Sequence, residues 1–202
     1  MPQTSIGQFA EVRTGYQFRG KVVPDDQGNV DVIQIKNVDD RLEIVTPEID
    51  TSRLTRVTID KPERHLVGAS DVLFMARGVR RYGIVVPELR RETVAASQFF
   101  VLKPNKDYVL PGYFAWALNQ PAFQQQLEYF QVGSHMSLVP LKDFKTCEVD
   151  LPDIKTQQQI VHLNELMLKE SQLLEQLKFK RAELNKGIFR KLLSGSLKTK
   201  DQ

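Results

Sequence analysis

An uninterrupted helical pattern over the last quarter of the sequence constrains the fold most. From Thr156 to Leu193 the chain contains no proline and a single glycine, Gly187. Thr156 and Gln159 have the spacing of a capping box, which predicts the helix start, and Gly195 predicts its end. At about 1.5 Å per residue, the segment would form a rod of roughly 57 Å. Because helices gain most of their stability from packing of an apolar face, we expect this rod to be covered along one side.

Apolar residues follow the predicted helix at alternating spacings of three and four, which is typical of a coiled coil. The positions are Ile160, Leu163, Met167, Leu174, Leu177, Leu184 and Ile188, while Glu170, Arg181 and Lys191 occupy the other places in the register. The helix could fold back onto its own domain. So long a rod would overhang a domain of this size, however, and leave much of the stripe in water. We therefore predict that residues 156–193 pair with a second helix, most simply that of a second copy.

Short strands separated by turns are predicted for the first half of the chain. Apolar and β-branched runs indicate strands at Asp31–Lys36, Leu54–Ile59, Val72–Met75, Ile84–Val86 and Phe99–Leu102. Pro111 and Pro121 each begin a short helical pattern, since proline is favoured in a first helical turn. The run Cys147–Leu151 predicts a last strand before Pro152.

These elements predict an α+β fold, in which a β-rich globular domain with short packed helices precedes one long C-terminal helix. The predicted domain boundaries are 1–152 for the globular domain, 153–195 for the long helix and 196–202 for a tail.

Composition excludes several classes of protein. The net charge is +3, and residues 1–151 hold 18 Lys and Arg against 19 Asp and Glu, so the globular part is not basic overall. One cysteine and three scattered histidines imply no disulfide and no structural metal, and no cofactor motif is present. We expect a cytoplasmic protein because the sequence lacks a membrane span and a signal segment. It also lacks phosphate-binding loops and nucleophile motifs, so an enzyme is not expected.

The one concentrated cationic stretch of the globular part holds Arg77, Arg80, Arg81, Arg90 and Arg91 within fifteen residues, and its first three arginines lie between two apolar runs. Arg77, Arg80 and Arg81 fall between Val72–Met75 and Ile84–Val86, together with two glycines and a tyrosine. Arginines on a hairpin between buried strands are suited to contacts with phosphate or guanine edges. A solvated charged hairpin is an equally good interpretation of this composition alone.

Several motifs in order resemble a known family. They are Phe9-Ala-Glu-Val-Arg-Thr-Gly-Tyr-Gln-Phe18, Ile33-Gln-Ile-Lys-Asn-Val38, Asp71-Val-Leu-Phe74 with its glycine hairpin, Gly133-Ser134 before Leu141-Lys-Asp-Phe144, Leu151-Pro152 before Gln157-Gln-Gln-Ile160, and Phe189-Arg-Lys-Leu-Leu-Ser-Gly195. Together they resemble the DNA specificity subunit of type I restriction-modification systems, over nearly the whole chain.

The resemblance implies a non-catalytic subunit that recognises double-stranded DNA for separate modification (methyltransferase) and restriction subunits, in phage defence. Members of the family usually carry two target-recognition domains, each followed by a long helix, and the two helices pair antiparallel. This sequence resembles half of such a subunit. The resemblance thus implies a homodimer, or pairing with another half-subunit, through an antiparallel coiled coil.

We predict a DNA-facing surface around the arginine hairpin. The predicted contacts are Arg77, Arg80, Arg81, Arg19, Lys21, Asn37, Arg41, Ser134 and His135. If two copies pair about a two-fold axis, their target is an interrupted palindrome. The alternative is a coiled-coil interaction or regulatory module without specific DNA recognition.

Overall fold

The computed structural model describes residues 3–39, 47–77, 81–130 and 139–194. The chain divides into two compact units, Met1–Asn164 and Glu165–Gln202. The first unit extends past the predicted boundary at residue 152, because the first turns of the C-terminal helix belong to it. Among the described residues, no helix is both long enough and apolar enough to cross a membrane.

Twelve strands are described in the first unit. They are β1 Gln3–Ser5, β2 Ala10–Thr14, β3 Val30–Ile33, β4 Val38–Asp39, β5 Glu48–Ile49, β6 Thr55–Val57, β7 Leu66–Val67, β8 Val72–Met75, β9 Gly83–Val85, β10 Thr93–Ala95, β11 Phe99–Pro104 and β12 Glu148–Asp150. The helices are α1 Ile6–Phe9, α2 Pro111–Leu118, α3 Pro121–Glu128, α4 Leu141–Thr146 and α5 Ile154–Leu193, with 3-10 turns at Ile35–Asn37, Thr51–Arg53 and Pro62–Arg64.

Two four-stranded sheets form the centre of the first unit. The inner sheet has the order β2-β11-β8-β9 and is antiparallel throughout. The outer sheet has the order β6-β3-β10-β7, in which β3 and β10 run parallel. Two-stranded pairs of β1 with β12 and of β4 with β5 complete the described strands.

Alternation along the strands divides the core into three layers. Phe74 and Phe100 of the inner sheet face the helices, where Phe144 of α4 lies 4.7 Å from Phe74 between ring centroids. Their neighbours Leu73 and Val101 face the outer sheet. The far side of the outer sheet packs against residues 16–22 through Tyr16, Phe18 and Val22. The order of layers is therefore helices, inner sheet, outer sheet and covering segment.

The mixed fold with a long C-terminal helix is confirmed. Both predicted prolines occupy the first turn of their helices, α2 and α3. The predicted strand at Asp31–Lys36 is shorter than expected, because the chain turns into a 3-10 helix at Ile35.

The predicted capping box at the start of α5 is wrong. The helix begins at Ile154, and Asp153 is the residue that caps it. Its Oδ1 accepts a hydrogen bond from the Thr156 backbone N–H at 2.8 Å, and its Oδ2 accepts one from the Thr156 hydroxyl at 3.2 Å. The bonds from Thr156 hold the pKa of the Asp153 carboxyl below its usual value.

The predicted pairing residues differ in burial. Ile160 is half-buried and packs on the helical layer of the first unit, so it does not belong to an exposed stripe. The other six are exposed by 41 to 63%; they are Leu163, Met167, Leu174, Leu177, Leu184 and Ile188. The described chain thus has an exposed apolar row that begins at Leu163.

Candidate nucleic-acid interface

Four strands end and four begin at a single end of the two sheets, which we call the loop end: β2, β3, β8 and β10 end there, and β6, β7, β9 and β11 begin there. Met75 of β8 pairs with Phe99, the first residue of β11, and Thr14 of β2 pairs with Phe100. In the outer sheet, β3 and β10 end side by side, with Ile33 opposite Ala95. Hydrogen bonds join the sheets there, since the Tyr16 N–H donates to the Ala95 carbonyl at 2.7 Å.

Close backbone contact at the loop end requires a glycine in the Thr14-Gly15-Tyr16 motif. The Gly15 N–H donates to the Phe99 carbonyl at 2.9 Å. A Cβ at Gly15 would overlap the carbonyl oxygens of Ala95 and Ala96, so no other residue fits without moving the outer sheet. This motif therefore carries a structural requirement that joins the two sheets.

Three chain segments leave the sheets at the loop end: residues 17–22 after β2, 34–47 after β3 and 76–82 after β8. Together they contain seven Lys and Arg against three Asp and Glu, whereas residues 1–151 are balanced at 18 against 19. Positive charge therefore exceeds negative charge in the three segments that leave the sheets at this end, which is not the case for residues 1–151 as a whole. Such an excess suits a polyanionic partner.

The hairpin between β8 and β9 carries two described arginines. Buried residues flank the segment: Ala76, whose N–H donates to the Gln98 carbonyl at 2.9 Å, and Tyr82, whose carbonyl accepts from Met75 at 3.0 Å. Arg77 is exposed, and Arg81 is half-buried. Burial lowers the pKa of the Arg81 guanidinium from its high ordinary value, which leaves it a cation at neutral pH. Arg80 lies outside the described residues.

The segment after β2 is held by aromatic contacts. The Tyr16 ring lies edge-on to Phe18 at 4.8 Å and to His65 at 5.1 Å. These contacts anchor the segment on the outer sheet, while Arg19 and Lys21 remain exposed. Both predicted residues therefore belong to a segment rooted at the loop end.

Asn37 does not belong to an exposed surface. It is 2% exposed, its Oδ1 accepts from the Gln34 N–H at 2.9 Å, and its Nδ2 donates to the Arg53 carbonyl at 2.9 Å. The amide is used within the fold, so the predicted DNA contact at Asn37 is corrected to a structural role. The neighbouring Lys36 is exposed, and its Nζ donates to the Thr55 hydroxyl at 2.9 Å. Sequence reasoning missed Lys36 because it placed this residue inside the predicted strand Asp31–Lys36, which in the structure ends at Ile33.

The remaining predicted contacts lie in undescribed segments. Arg41, Ser134 and His135 are outside the described residues. The residues that flank 131–138, among them Leu127 and Val139, pack in the helical layer rather than between the two sheets.

Sequence reasoning also missed a buried glutamine at the start of α5. Gln157 is fully buried, and its Oε1 accepts from the Leu110 N–H at 2.8 Å. Its Nε2 donates to the carbonyls of Tyr108 at 2.9 Å and Pro152 at 2.8 Å. Three bonds to backbone groups fix the first turn of α5 on the first unit. The sequence signal that could have identified Gln157 was its place in the Gln157-Gln-Gln-Ile160 motif that follows Leu151-Pro152.

The family model of the type I restriction modification DNA specificity domain matches residues 3–179. The chain belongs to this family. No curated protein matches the sequence. The matched residues continue along α5 as far as residue 179, so they include residues of both units.

Three solved structures resemble this specificity domain. The type I restriction-modification S subunit from M. genitalium has a TM-score of 0.58 and 13% identity, and the alignment covers 96% of this chain and 46% of that one. The HsdS subunit from Thermoanaerobacter tengcongensis has a TM-score of 0.60 and 15% identity, with 97% and 45% covered.

A chain from a structure of complex assembly and conformational transition in the type I R-M system has a TM-score of 0.65 and 16% identity, with 92% and 43% covered. At these identities the likeness shows the fold. This specificity domain spans slightly less than half the length of each of the three chains.

Proposed function

We propose that this chain is a sequence-specific DNA recognition subunit of a type I restriction-modification complex, active in cytoplasmic phage defence. In this role it directs separate methyltransferase and restriction subunits to their target and carries out no chemistry itself. The observation that carries the proposal is the excess of seven cations over three acids in loops rooted at one end of the sheets, in a chain of the specificity-domain family.

We infer a division of labour among the basic residues of the loop end. Arg77 and Arg81 are held between buried hairpin anchors, which suits bidentate contacts to base edges. Arg19, Lys21 and Lys36 lie on exposed segments and suit contacts to phosphate, which need charge more than fixed geometry. Four further residues remain in the proposed set on the sequence argument alone, namely Arg80, Arg41, Ser134 and His135.

The second unit is proposed to pair with another long helix. Leu174 and Leu177 are about half exposed, as are the other apolar residues of the same register. Antiparallel pairing of two copies would cover this row and relate the two recognition domains by a two-fold axis. The half-sites are then inverted copies, and the target is an interrupted palindrome. Pairing with a different half-subunit would give an asymmetric target.

A coiled-coil interaction or regulatory module is the alternative function, and the exposed apolar row of α5 favours it as well. The two functions differ in DNA binding. We expect the purified full chain to bind duplex DNA with an affinity that falls steeply with salt, because each phosphate contact releases counterions. Fluorescence anisotropy over a salt series measures this slope. Dimerisation without duplex binding at any salt would support the interaction module instead.

A further inference from the structure

A single carboxamide holds the open edge of the hairpin that carries Arg77 and Arg81. The Gly83 N–H donates to Oδ1 of Asn119 at 2.7 Å, and Nδ2 of Asn119 donates to the Gly83 carbonyl at 3.0 Å. Strand β9 is the edge of the inner sheet, with β8 as its neighbour on one side. Asn119 therefore takes the place of a neighbouring strand for one residue of this edge.

The two bonds depend on close packing between α2 and β9. Asn119 follows the last residue of α2 as its C-terminal cap. A Cβ at Gly83 would come within 2.9 Å of Cδ1 and 3.0 Å of Cβ of Leu118. The absence of a side chain at Gly83 thus lets the end of the helix reach the strand backbone, which brings the carboxamide of Asn119 within hydrogen-bonding distance.

The remaining anchors of the hairpin come from within the inner sheet. Met75 donates to the Tyr82 carbonyl, and Ala76 donates to the Gln98 carbonyl. The first bond joins the two arms of the hairpin, and the second holds the side that faces β11. Asn119 holds the opposite side, two residues beyond Arg81, so it fixes the backbone from which that arginine extends.

We propose that Asn119 is a positioning residue for DNA specificity, because its paired hydrogen bonds to Gly83 fix the hairpin that presents Arg77 and Arg81 to base edges. The proposal rests on the proposed function. Bidentate base contacts require nearly linear hydrogen bonds and weaken steeply when the donor is displaced. Phosphate attraction falls slowly with distance, so it tolerates a displaced hairpin. Loss of Asn119 is therefore expected to reduce sequence discrimination and to spare non-specific affinity.

The chain contains a matched control for this contact. Nε2 of Gln126 donates to the Glu148 carbonyl at 2.9 Å, and the Glu148 N–H donates to Oε1 of Gln126 at 2.8 Å. This is the same pair of bonds between a helix carboxamide and a strand backbone, here on β12. Gln126→Leu therefore removes the same chemistry from a strand that is not part of the loop-end hairpin.

The test compares Asn119→Leu, Asn119→Asp and Gln126→Leu in the full chain. Asn119→Asp keeps the shape of the side chain but places a carboxylate oxygen against the Gly83 carbonyl. Each variant is measured for enrichment of its preferred duplex from a random library, for affinity to random-sequence duplex, and for hydrogen exchange in residues 76–83. We expect both Asn119 variants to lose about tenfold in enrichment. Their random-duplex affinity should stay within about twofold, while exchange in the hairpin quickens.

The outcomes separate the two proposals. Unchanged enrichment in both Asn119 variants would overturn the role of Asn119, even if exchange quickens, and would leave DNA recognition intact. An equal loss in Gln126→Leu would also overturn it, because the effect would then be one of general stability. A wild-type chain that binds duplex without any sequence preference would refute the proposed function itself and the role of Asn119 with it.

Discussion

In the first unit, large apolar side chains such as Phe74, Phe114 and Phe144 are completely buried, whereas Leu174 and Leu177 in the second unit remain 51% and 53% exposed. The first unit fills three apolar layers with its own residues. The second is a helix whose apolar row has no cover among the described residues of this chain. The difference indicates that the first unit folds around its own core, whereas the apolar row of the second stays exposed, which is why we propose that a partner covers it.

The largest expected effect tests the dependence of the second unit on a partner. We expect the full chain to be a dimer and Leu174→Asp with Leu177→Asp to make it a monomer at high micromolar concentration. Burying each leucine contributes about 1.5–3 kcal/mol, and a symmetric pair loses four of them. Multi-angle light scattering measures the mass. The control is Gln172→Asp with Gln176→Asp, which adds the same charge off the apolar row and should leave the mass unchanged.

A core substitution tests the independence of the first unit. Phe144 is completely buried, and its ring lies 4.7 Å from Phe74 and 5.1 Å from Phe100. We expect Phe144→Ala to lower the free energy of unfolding of this unit by about 3–5 kcal/mol. Chemical denaturation followed by Trp116 fluorescence measures this change. Phe179→Ala, at a residue of the second unit that is 65% exposed, should leave the same transition unchanged. Equal effects of the two variants would contradict the division into units.

A further substitution tests how the start of α5 is fixed within the first unit. Gln157→Leu leaves the Leu110 N–H and two carbonyls without their partner, so we expect a loss of about 1–3 kcal/mol in unfolding free energy. The exposed neighbours Gln158 and Gln159 supply the comparison, since leucine at either should have almost no effect on thermal unfolding. A neutral Gln157→Leu would show that its bonds do not hold the helix start.

The loop end is tested by removing charge rather than packing. We expect Arg77→Ala with Arg81→Ala to reduce specific DNA binding by about 1–3 kcal/mol per base-reading arginine and to relax positions of the target. Arg90→Ala with Arg91→Ala removes the same charge from another connection. In duplex binding, the second pair should lower affinity for all sequences equally or leave it unchanged. If both double variants chose the same target sequence as the wild-type chain, the placement of the interface would be contradicted.

One further effect is absent at neutral pH and appears only at alkaline pH. Burial, with a smaller contribution from Asp143, raises the pKa of the Cys147 thiol to about 11, and burial with Asp150 nearby raises that of Tyr113 to about 12. Both neutral forms are favoured in the folded state, so their contribution is complete below pH 9 and is lost as pH rises toward 11 and 12. Thermal unfolding between pH 8 and 11 measures the decline. In Cys147→Ala, the unfolding temperature should fall less in the lower part of this pH range.

Local signals in the sequence were sufficient for elements that local chemistry determines. Prolines in the first turn of α2 and α3 and the long run without breakers before Leu193 predict helices from neighbouring residues alone. Asn37 shows the limit of such reasoning. The sequence predicts a DNA contact at Asn37 from its place directly after a strand pattern, but its amide donates to the Arg53 carbonyl, sixteen residues away.

Long-range pairing explains the other differences as well. The parallel pair of β3 and β10 joins residues 62 positions apart, since Thr93 pairs with Asp31, and the pairing of β2 with β11 depends on contacts that no local pattern encodes. The same holds for Gln157 and Asn119, whose partners lie 47 and 36 residues away. Residue types indicated a DNA-binding hairpin, whereas the common origin of three loops at one end became visible only through the strand register.

Mapping of methylated adenines is the most direct test of DNA recognition by this chain. The full chain is co-expressed with the proposed modification subunit, and genomic DNA is sequenced for methylated adenine, with that subunit alone as the control. We expect methylation that depends on this chain, at an interrupted palindrome whose half-sites are inverted copies. A reproducibly asymmetric target would contradict the symmetric dimer. A methylation pattern that is the same with and without the chain would contradict its role in DNA recognition.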